Sequence, residues 1–325
     1  MEGKTKTTWQ LLKETATQWI EDQPFQLASS LSYYTIFSLA PLLIIVIAVA
    51  GMIFGRAAAE QEIIGTIEGM IGRQSAETVQ GMIENASSQK TTGIISAILG
   101  LLALLLGASG VVGQLQTSLN TIWGVEPKPG QGVWGFIRQR FVSLAMILGV
   151  GFLLLVSLVL SALVSTLAQL IGTSVMLVYT LDLVMSLALI TALFAMIYKF
   201  LPDVRLEWRD VWIGSALTAV LFIIGKFLIG LYLGHSSVSS TYGAAGSVIM
   251  ILLWVYYSSL ILFLGAEFTQ VYASQFGSGV VPAANAEPLG ASGTRKSLPP
   301  ERRAAIRTRA HSAREPVRSR RNRFT

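Results

Sequence analysis

Residues Val211 to Leu233 read VWIGSALTAVLFIIGKFLIGLYL, twenty-three positions with a single charge, Lys226. A helix crossing a bilayer needs about 20 mostly apolar residues, and this stretch supplies them. A lysine inside it is costly in hydrocarbon, so its presence is a question that the rest of the chain must answer.

Five more stretches have the same character: Leu27–Phe54, Thr92–Val112, Phe141–Ile171, Val175–Phe200 and Ala245–Tyr272. The first is long and holds Pro41, which predicts a kink or a non-spanning lead-in. Over the whole chain 52% of residues are hydrophobic and 13% charged, against about 25% charged in soluble domains. The fold expected is all-α and polytopic, with six transmembrane helices. The expected organisation is an interfacial amphipathic segment over 1–26, a membrane domain over 27–273 and a disordered basic tail over 274–325. No cleavable signal peptide is expected, because the first 26 residues lack a continuous apolar core.

Basic residues set the orientation. The N-terminal segment, the loops after the second and fourth stretches, and the tail hold twenty Lys and Arg, against three (Arg56, Arg73, Lys90) in the first loop. Both termini are therefore expected in the cytoplasm. From Ser274 onward eleven basic residues face three acidic ones, a net +8, which leaves −2 for the remainder. A Gly-, Pro-, Ser- and Arg-rich tail should be disordered and should bind anionic lipid headgroups; nucleic acid is the weaker candidate. Truncation after Tyr272 is expected to leave the fold intact.

Several segments read as amphipathic helices. Trp9, Leu12, Ala16, Trp19 and Ile20 recur at helical spacing, as an interfacial helix or an ordinary packed one would show. In the first loop, Ile63, Ile64, Ile67, Met70 and Ile71 form one apolar stripe, and Val79, Met82 and Ile83 another. Two short helices over the outer mouth are the simplest account.

Cysteine is absent and there are two histidines, His235 and His311. Thiolate nucleophiles and Cys-based metal sites are excluded, and little remains for a zinc site or a His-based triad. No cofactor or metal is expected. Asp203, Glu207 and Asp210 in LPDVRLEWRD share one face if the segment is helical, as a two-metal nuclease would want. Their alternation with Arg205 and Arg209 fits a surface helix better. No H-E-x-x-H, G-x-S-x-G or nucleotide-binding loop occurs, so no enzyme is expected.

Intramembrane polar groups are the candidates that remain. Lys226 lies seven residues before the outer end of its stretch, roughly 10 Å deep at ~1.5 Å per residue. Asp182 lies at similar depth. Three readings stay open: a snorkelling lysine, a structural Asp182–Lys226 pair, or a charged element of a substrate path. Glu267, in LGAEFTQVY, sits near the inner end of the last stretch, where Arg138, Arg140 or Arg209 could meet it, or where a ligand or proton could bind. Tyr33, Tyr34, Asn120, Tyr256 and Tyr257 fall at the same inner level, as the lining of a cytoplasm-facing cavity or as interhelical hydrogen-bond partners. Ser157, Ser161 and Ser165, and Gly107 with Gly110 and Gly113, are small residues suited to close helix packing.

Four blocks occur together and in order: SYYTIFSLAPLLIIVIAVAGMIFG (32–55), LNTIWGV (119–125), LPDVRLEWRDVWIGSALTAVLFIIGKFLIGLYL (201–233) and TYGAAGSVIMILLWVYYSSLILFLGAEFTQVYA (241–273). From about Gln26 to Tyr272 the chain resembles the YihY/BrkB family of bacterial inner-membrane proteins. The resemblance implies six spans and an inner-membrane location. It supplies no settled activity: some members have carried a ribonuclease BN label, others a virulence label concerning serum resistance. The tail lies outside it. The function expected is transport-related, moving an amphipathic or ionic solute, lipid included. The alternative is a membrane scaffold with envelope protein partners, and an enzyme such as a ribonuclease comes third. Oligomeric state is not legible.

Overall fold

The computed structural model describes residues 8–87, 94–129, 145, 149, 175–235, 244–277 and 279–289. Eight helices run through them: α1 (Thr8–Glu21), α2 (Pro24–Phe54), α3 (Arg56–Ile71), α4 (Arg73–Ser87), α5 (Ile94–Ile122), α6 (Val175–Phe200), α7 (Trp208–His235) and α8 (Ala244–Gln275). Four short strands, β1 (Val125–Pro127), β2 (Val204–Arg205), β3 (Val281–Pro282) and β4 (Ala286–Pro288), complete the set.

Among the described residues four helical segments are long and apolar enough to cross a membrane: Pro24–Met52, Leu183–Phe200, Trp208–Tyr232 and Ala245–Gln275. They correspond to the first, fourth, fifth and sixth expected stretches. The second expected stretch falls largely within the 29-residue helix α5. The third, Phe141–Ile171, lies outside the described residues apart from two positions, and Ser157, Ser161 and Ser165 lie there too.

The helix α2 starts with Pro24 at its first position, where a missing N–H costs nothing. It then runs on through Pro41 as one 31-residue helix. The neighbouring helix makes room for the ring: a Cβ at Gly107 of α5 would lie 3.0 Å from Pro41 Cγ. One turn on, a Cβ at Gly110 would lie 3.0 Å from Ser38 Oγ. The packing role expected for Gly107 and Gly110 is thus realised against α2, while a Cβ at Gly113 would meet no described atom within 4 Å.

The first loop departs from the expected lid over the mouth. Single glycines, Gly55 (φ 86°) and Gly72 (φ 85°), join α2 to α3 and α3 to α4. Such a backbone is open to glycine and strained for other residues. The chain therefore reverses within one residue, and α3 folds back along α2. Ala59 packs on Ala50 near the turn. At the other end of α3, Ile71 shares a cluster with Ile36 and Leu39 of α2 and with Ile251 and Trp254 of α8. The α3–α4 turn thus sits beside the middle of α2. From there α4 rises along α8, where Thr78 Oγ1 donates to Ser247 Oγ at 2.8 Å. The isoleucine and valine stripes read in the sequence are the faces that make these contacts.

The helix α1 has three sides. Leu11 and Thr15 are buried where α1 packs on α8, and Gln275 donates to Glu14 Oε2. Trp9, Leu12 and Ile20 are exposed on a neighbouring stripe, with Lys13 and Thr17 beyond. The helix is packed along one edge, as the ordinary packed form would be, and among the described residues it leaves an apolar stripe exposed.

The expected disordered tail begins too early. The helix α8 continues to Gln275, and residues 279–289 turn back beneath the bundle. There β3 pairs antiparallel with β2 (Val204↔Pro282) and β4 with β1 (Val125↔Pro288). The Leu289 amide donates to Gly124 O at 2.8 Å. Residues 290–325 lie outside the described residues. Truncation after Tyr272 removes all of these bonds, so it is expected to lower the thermal unfolding midpoint in detergent. Truncation after Leu289 is expected to leave it unchanged. Equal midpoints for the two truncations would show that this strap bears no load.

Candidate functional site

A close contact that includes buried hydroxyls lies where α6, α7 and α8 meet. In α7 the pentad GSALT runs from Gly214 to Thr218. In α8 the pentad GAEFT runs from Gly265 to Thr269. The helices cross so that each glycine receives the other helix's threonine. A Cβ at Gly214 would overlap Thr269 Oγ1, and one at Gly265 would overlap Thr218 Oγ1. Each threonine donates to the glycine carbonyl one turn back, Thr218 to Gly214 O at 2.7 Å and Thr269 to Gly265 O at 2.6 Å. Both threonine hydroxyls are satisfied inside their own helices, and the backbones approach as closely as small residues permit. The signal is present in the sequence as two Gly-x-x-x-Thr pentads, though neither stands out by composition.

Tyr198 of α6 joins this crossing. Its hydroxyl donates to Leu262 O at 2.7 Å and lies 3.1 Å from Thr218 Oγ1. Phe194, one turn before it, packs edge-on against Phe222 of α7. Glu267, at the same level of α8 but on the face turned away from the pentad contacts, is wholly buried, as are Ser215 and Thr218 of α7. Phe263 and Gln270 lie one turn to either side of Glu267 and are buried too. A carboxylate at that position in an apolar bundle is a functional candidate by default. Of its expected partners, Arg209 is exposed, while Arg138 and Arg140 lie outside the described residues.

Below this layer Asp203 organises the end of the bundle. Its carboxylate accepts from Asn120 Nδ2 (2.9 Å), Gln116 Nε2 (3.2 Å) and Asn285 Nδ2 (2.7 Å). Its amide donates to Asn120 Oδ1 at 2.8 Å and its carbonyl accepts from Ala283 N at 2.9 Å. One residue thus ties α5, the α6–α7 connection and the strap after α8.

The structure separates the three acids of LPDVRLEWRD. Asp203 precedes β2 and is engaged by amides, Glu207 is exposed ahead of α7, and Asp210 is buried in the first turn of α7. The single helical face that their spacing suggested does not form, because Val204 and Arg205 are in a strand. Among the described residues no group of three or more His, Asp or Glu could hold a metal ion.

The other candidates are distributed. Asn120 is buried in the Asp203 network. Tyr33 is exposed and packs against Tyr34 and Phe37 of its own helix. Tyr34 lies 3.6 Å from the Cβ position of Gly110. Tyr256 packs on the inner apolar cluster and Tyr257 on the Ile229–Met250 cluster. Lys226 is exposed on α7. It lies eighteen residues after the start of α7, and Asp182 eighteen before the end of α6. Because these helices form a hairpin, the two sit at matched depth. The Asp182 side chain lies outside the described residues.

Against known proteins, the family described as Virulence factor BrkB matches residues 15–289. This chain belongs to the BrkB family. It is 30% identical over 258 residues to a "UPF0761 membrane protein" of Tolumonas auensis, covering 75% of this chain and 78% of that one. Its likeness to a "UPF0761 membrane protein" of Azotobacter vinelandii is 29% over 262 residues, 80% of this chain and 61% of that one. A "Putative ribonuclease-like protein YfkH" of Bacillus subtilis is 24% identical over 264 residues, 79% and 92% of the two chains. The chain spans 61% and 55% of the first two UPF0761 relatives, from Azotobacter and Ralstonia. No solved structure matches it. With its apolar helices, this BrkB-family chain is an integral, multi-pass membrane protein.

Proposed function

We propose that this BrkB-family protein is a six-span inner-membrane protein, both termini cytoplasmic, that moves or helps to move a polar or amphipathic solute. The observation that carries this reading is Glu267, wholly buried in a helix long and apolar enough to span a bilayer. On α8 it is level with the Gly265–Thr269 crossing, on the helix face turned away from it. An ionisable group there has to be matched by a partner, a proton or a ligand. The dispersal of Asp203, Glu207 and Asp210 favours transport over a nuclease, and the ribonuclease-like name is that of the Bacillus relative. The +8 of the region from Ser274 onward supports contact with anionic headgroups. A scaffold for envelope proteins is the second reading, favoured by the exposed apolar stripe of α1.

Two measurements test this. Reporter fusions at Gly130, Asp203 and the tail are expected to read cytoplasmic, and those at Glu68 and Ser237 outside; an outside signal at Gly130 removes the six-span arrangement. A deletion strain is expected to show altered lipid distribution or ion sensitivity, restored by the wild-type chain and by Lys226→Met but not by Glu267→Gln. Full restoration by a stably inserted Glu267→Gln protein would favour the scaffold.

A further inference from the structure

The α3–α4 hairpin does not behave as a loop outside the bundle. It packs on α2, α8 and α7, and Ile71, beside its Gly72 turn, shares an apolar cluster with Ile36, Leu39 and Trp254. A 16-residue helix is about 24 Å long, so α3 carries the chain back from the end of α2 to its middle. The apolar stripe of α3 faces those helices. Its opposite face is polar or small and exposed along the whole length: Gln61, Glu62, Gly65, Thr66, Glu68 and Gly69. At the turn, Arg73 Nε donates to Glu77 Oε1 at 2.9 Å with both side chains mostly exposed. Carboxylates and an ion pair cannot face hydrocarbon at that level without a large cost. Helical polar faces at membrane depth survive where they line water.

We propose that the α3–α4 hairpin is re-entrant and that its polar face walls a water-filled vestibule, open on the side opposite the Asp203 network and closed near mid-bundle. This rests on the membrane placement in the preceding reading and narrows its substrate class. An aqueous vestibule admits a hydrated, polar or ionic solute to the middle of the bilayer; a lipid tail gains nothing from it.

The cysteine-free chain allows a direct test. A Cβ added at Gly65 or Gly69 meets none of the described atoms within 4 Å, so single cysteines there should fold. With Phe227→Cys, exposed on α7, as the lipid-facing control, each is treated with a membrane-impermeant thiosulfonate in intact cells. Gly65→Cys and Gly69→Cys are expected to react at least about ten-fold faster than Phe227→Cys, because only hydrated thiols ionise and react. They should react more slowly with a bulky maleimide than Ala58→Cys near the outer turn. Thr78→Cys with Ser247→Cys should close a disulfide on mild oxidation. Reaction at Gly69 no faster than at Phe227 would overturn the vestibule. So would equal maleimide rates at Ala58 and Gly69 with no disulfide, since the hairpin would then lie in bulk water. Neither readout depends on solute movement, so failure of the transport reading would show only in the complementation assay.

Discussion

Gly265→Ala will lower the unfolding midpoint of the purified protein far more than the same change at Gly65, Gly69 or Gly81. All four lie in helices, where alanine is intrinsically better than glycine by about 1 kcal/mol. At Gly65, Gly69 and Gly81 a Cβ meets none of the described atoms within 4 Å, so that gain should appear undiminished. At Gly265 the methyl overlaps Thr218 Oγ1 and stands 2.7 Å from the Tyr198 hydroxyl. Overpacking a rigid contact costs typically about 1–3 kcal/mol, occasionally more. This site belongs at the upper end, because the obstructing threonine is held to its own backbone and cannot swing away. Adding Thr218→Gly should restore part of the loss, leaving the clash with Tyr198. The readout is thermal or denaturant unfolding in one detergent. A Gly265→Ala midpoint equal to that of Gly81→Ala would mean that α7 and α8 do not touch at the pentads.

The second large effect is expected at Asp203. Replacing it with alanine strands three side-chain amides, from Asn120, Gln116 and Asn285, that now donate to one carboxylate. Hydrogen bonds to a charged group contribute about 1.5–3 kcal/mol each, and they are not additive. A loss of about 3 kcal/mol or more is expected. Asn285→Ala, which removes one donor, should cost about half as much. Limited proteolysis reports the local part: residues 277–289 should become cleavable in Asp203→Ala under conditions that spare the wild type. Continued protection would show that the strands alone hold the strap.

These two sites also show how unevenly the molecule is written in its sequence. The apolar runs at 211–233 and 245–272 foretold α7 and α8 closely, because a bilayer-length helix leaves a composition signal in every residue. Pro41 suggested a kink or a non-spanning lead-in, and α2 runs through it as one helix. The accommodation lies in Gly107, sixty-six residues on, where no local pattern points back to the proline. The strap was hidden for a different reason. Strands of two or three residues have no period to read, and Val281, Asn285 and Ala286 sit in a stretch whose Gly, Pro and Ser suggest disorder. For the site, Glu267 could be named from its isolation in an apolar run. The Asp203 network could not, since its three amides come from 82, 83 and 87 residues away along the chain.

The Gly-Thr crossing has a mechanical consequence. It rivets α7 to α8 near one end, and Tyr198 adds α6 to the same joint. Towards the other end of α7 the helix is held by Gly225 under Tyr257 and Ile261, and by Ile229 on Met250, contacts made by long side chains that can change rotamer. Any motion that keeps the rivet intact is therefore a rotation about it. From Gly214 to His235 the lever arm is about 31 Å at ~1.5 Å per residue. A tilt of about 5° moves its tip by roughly 3 Å, the width of a water molecule.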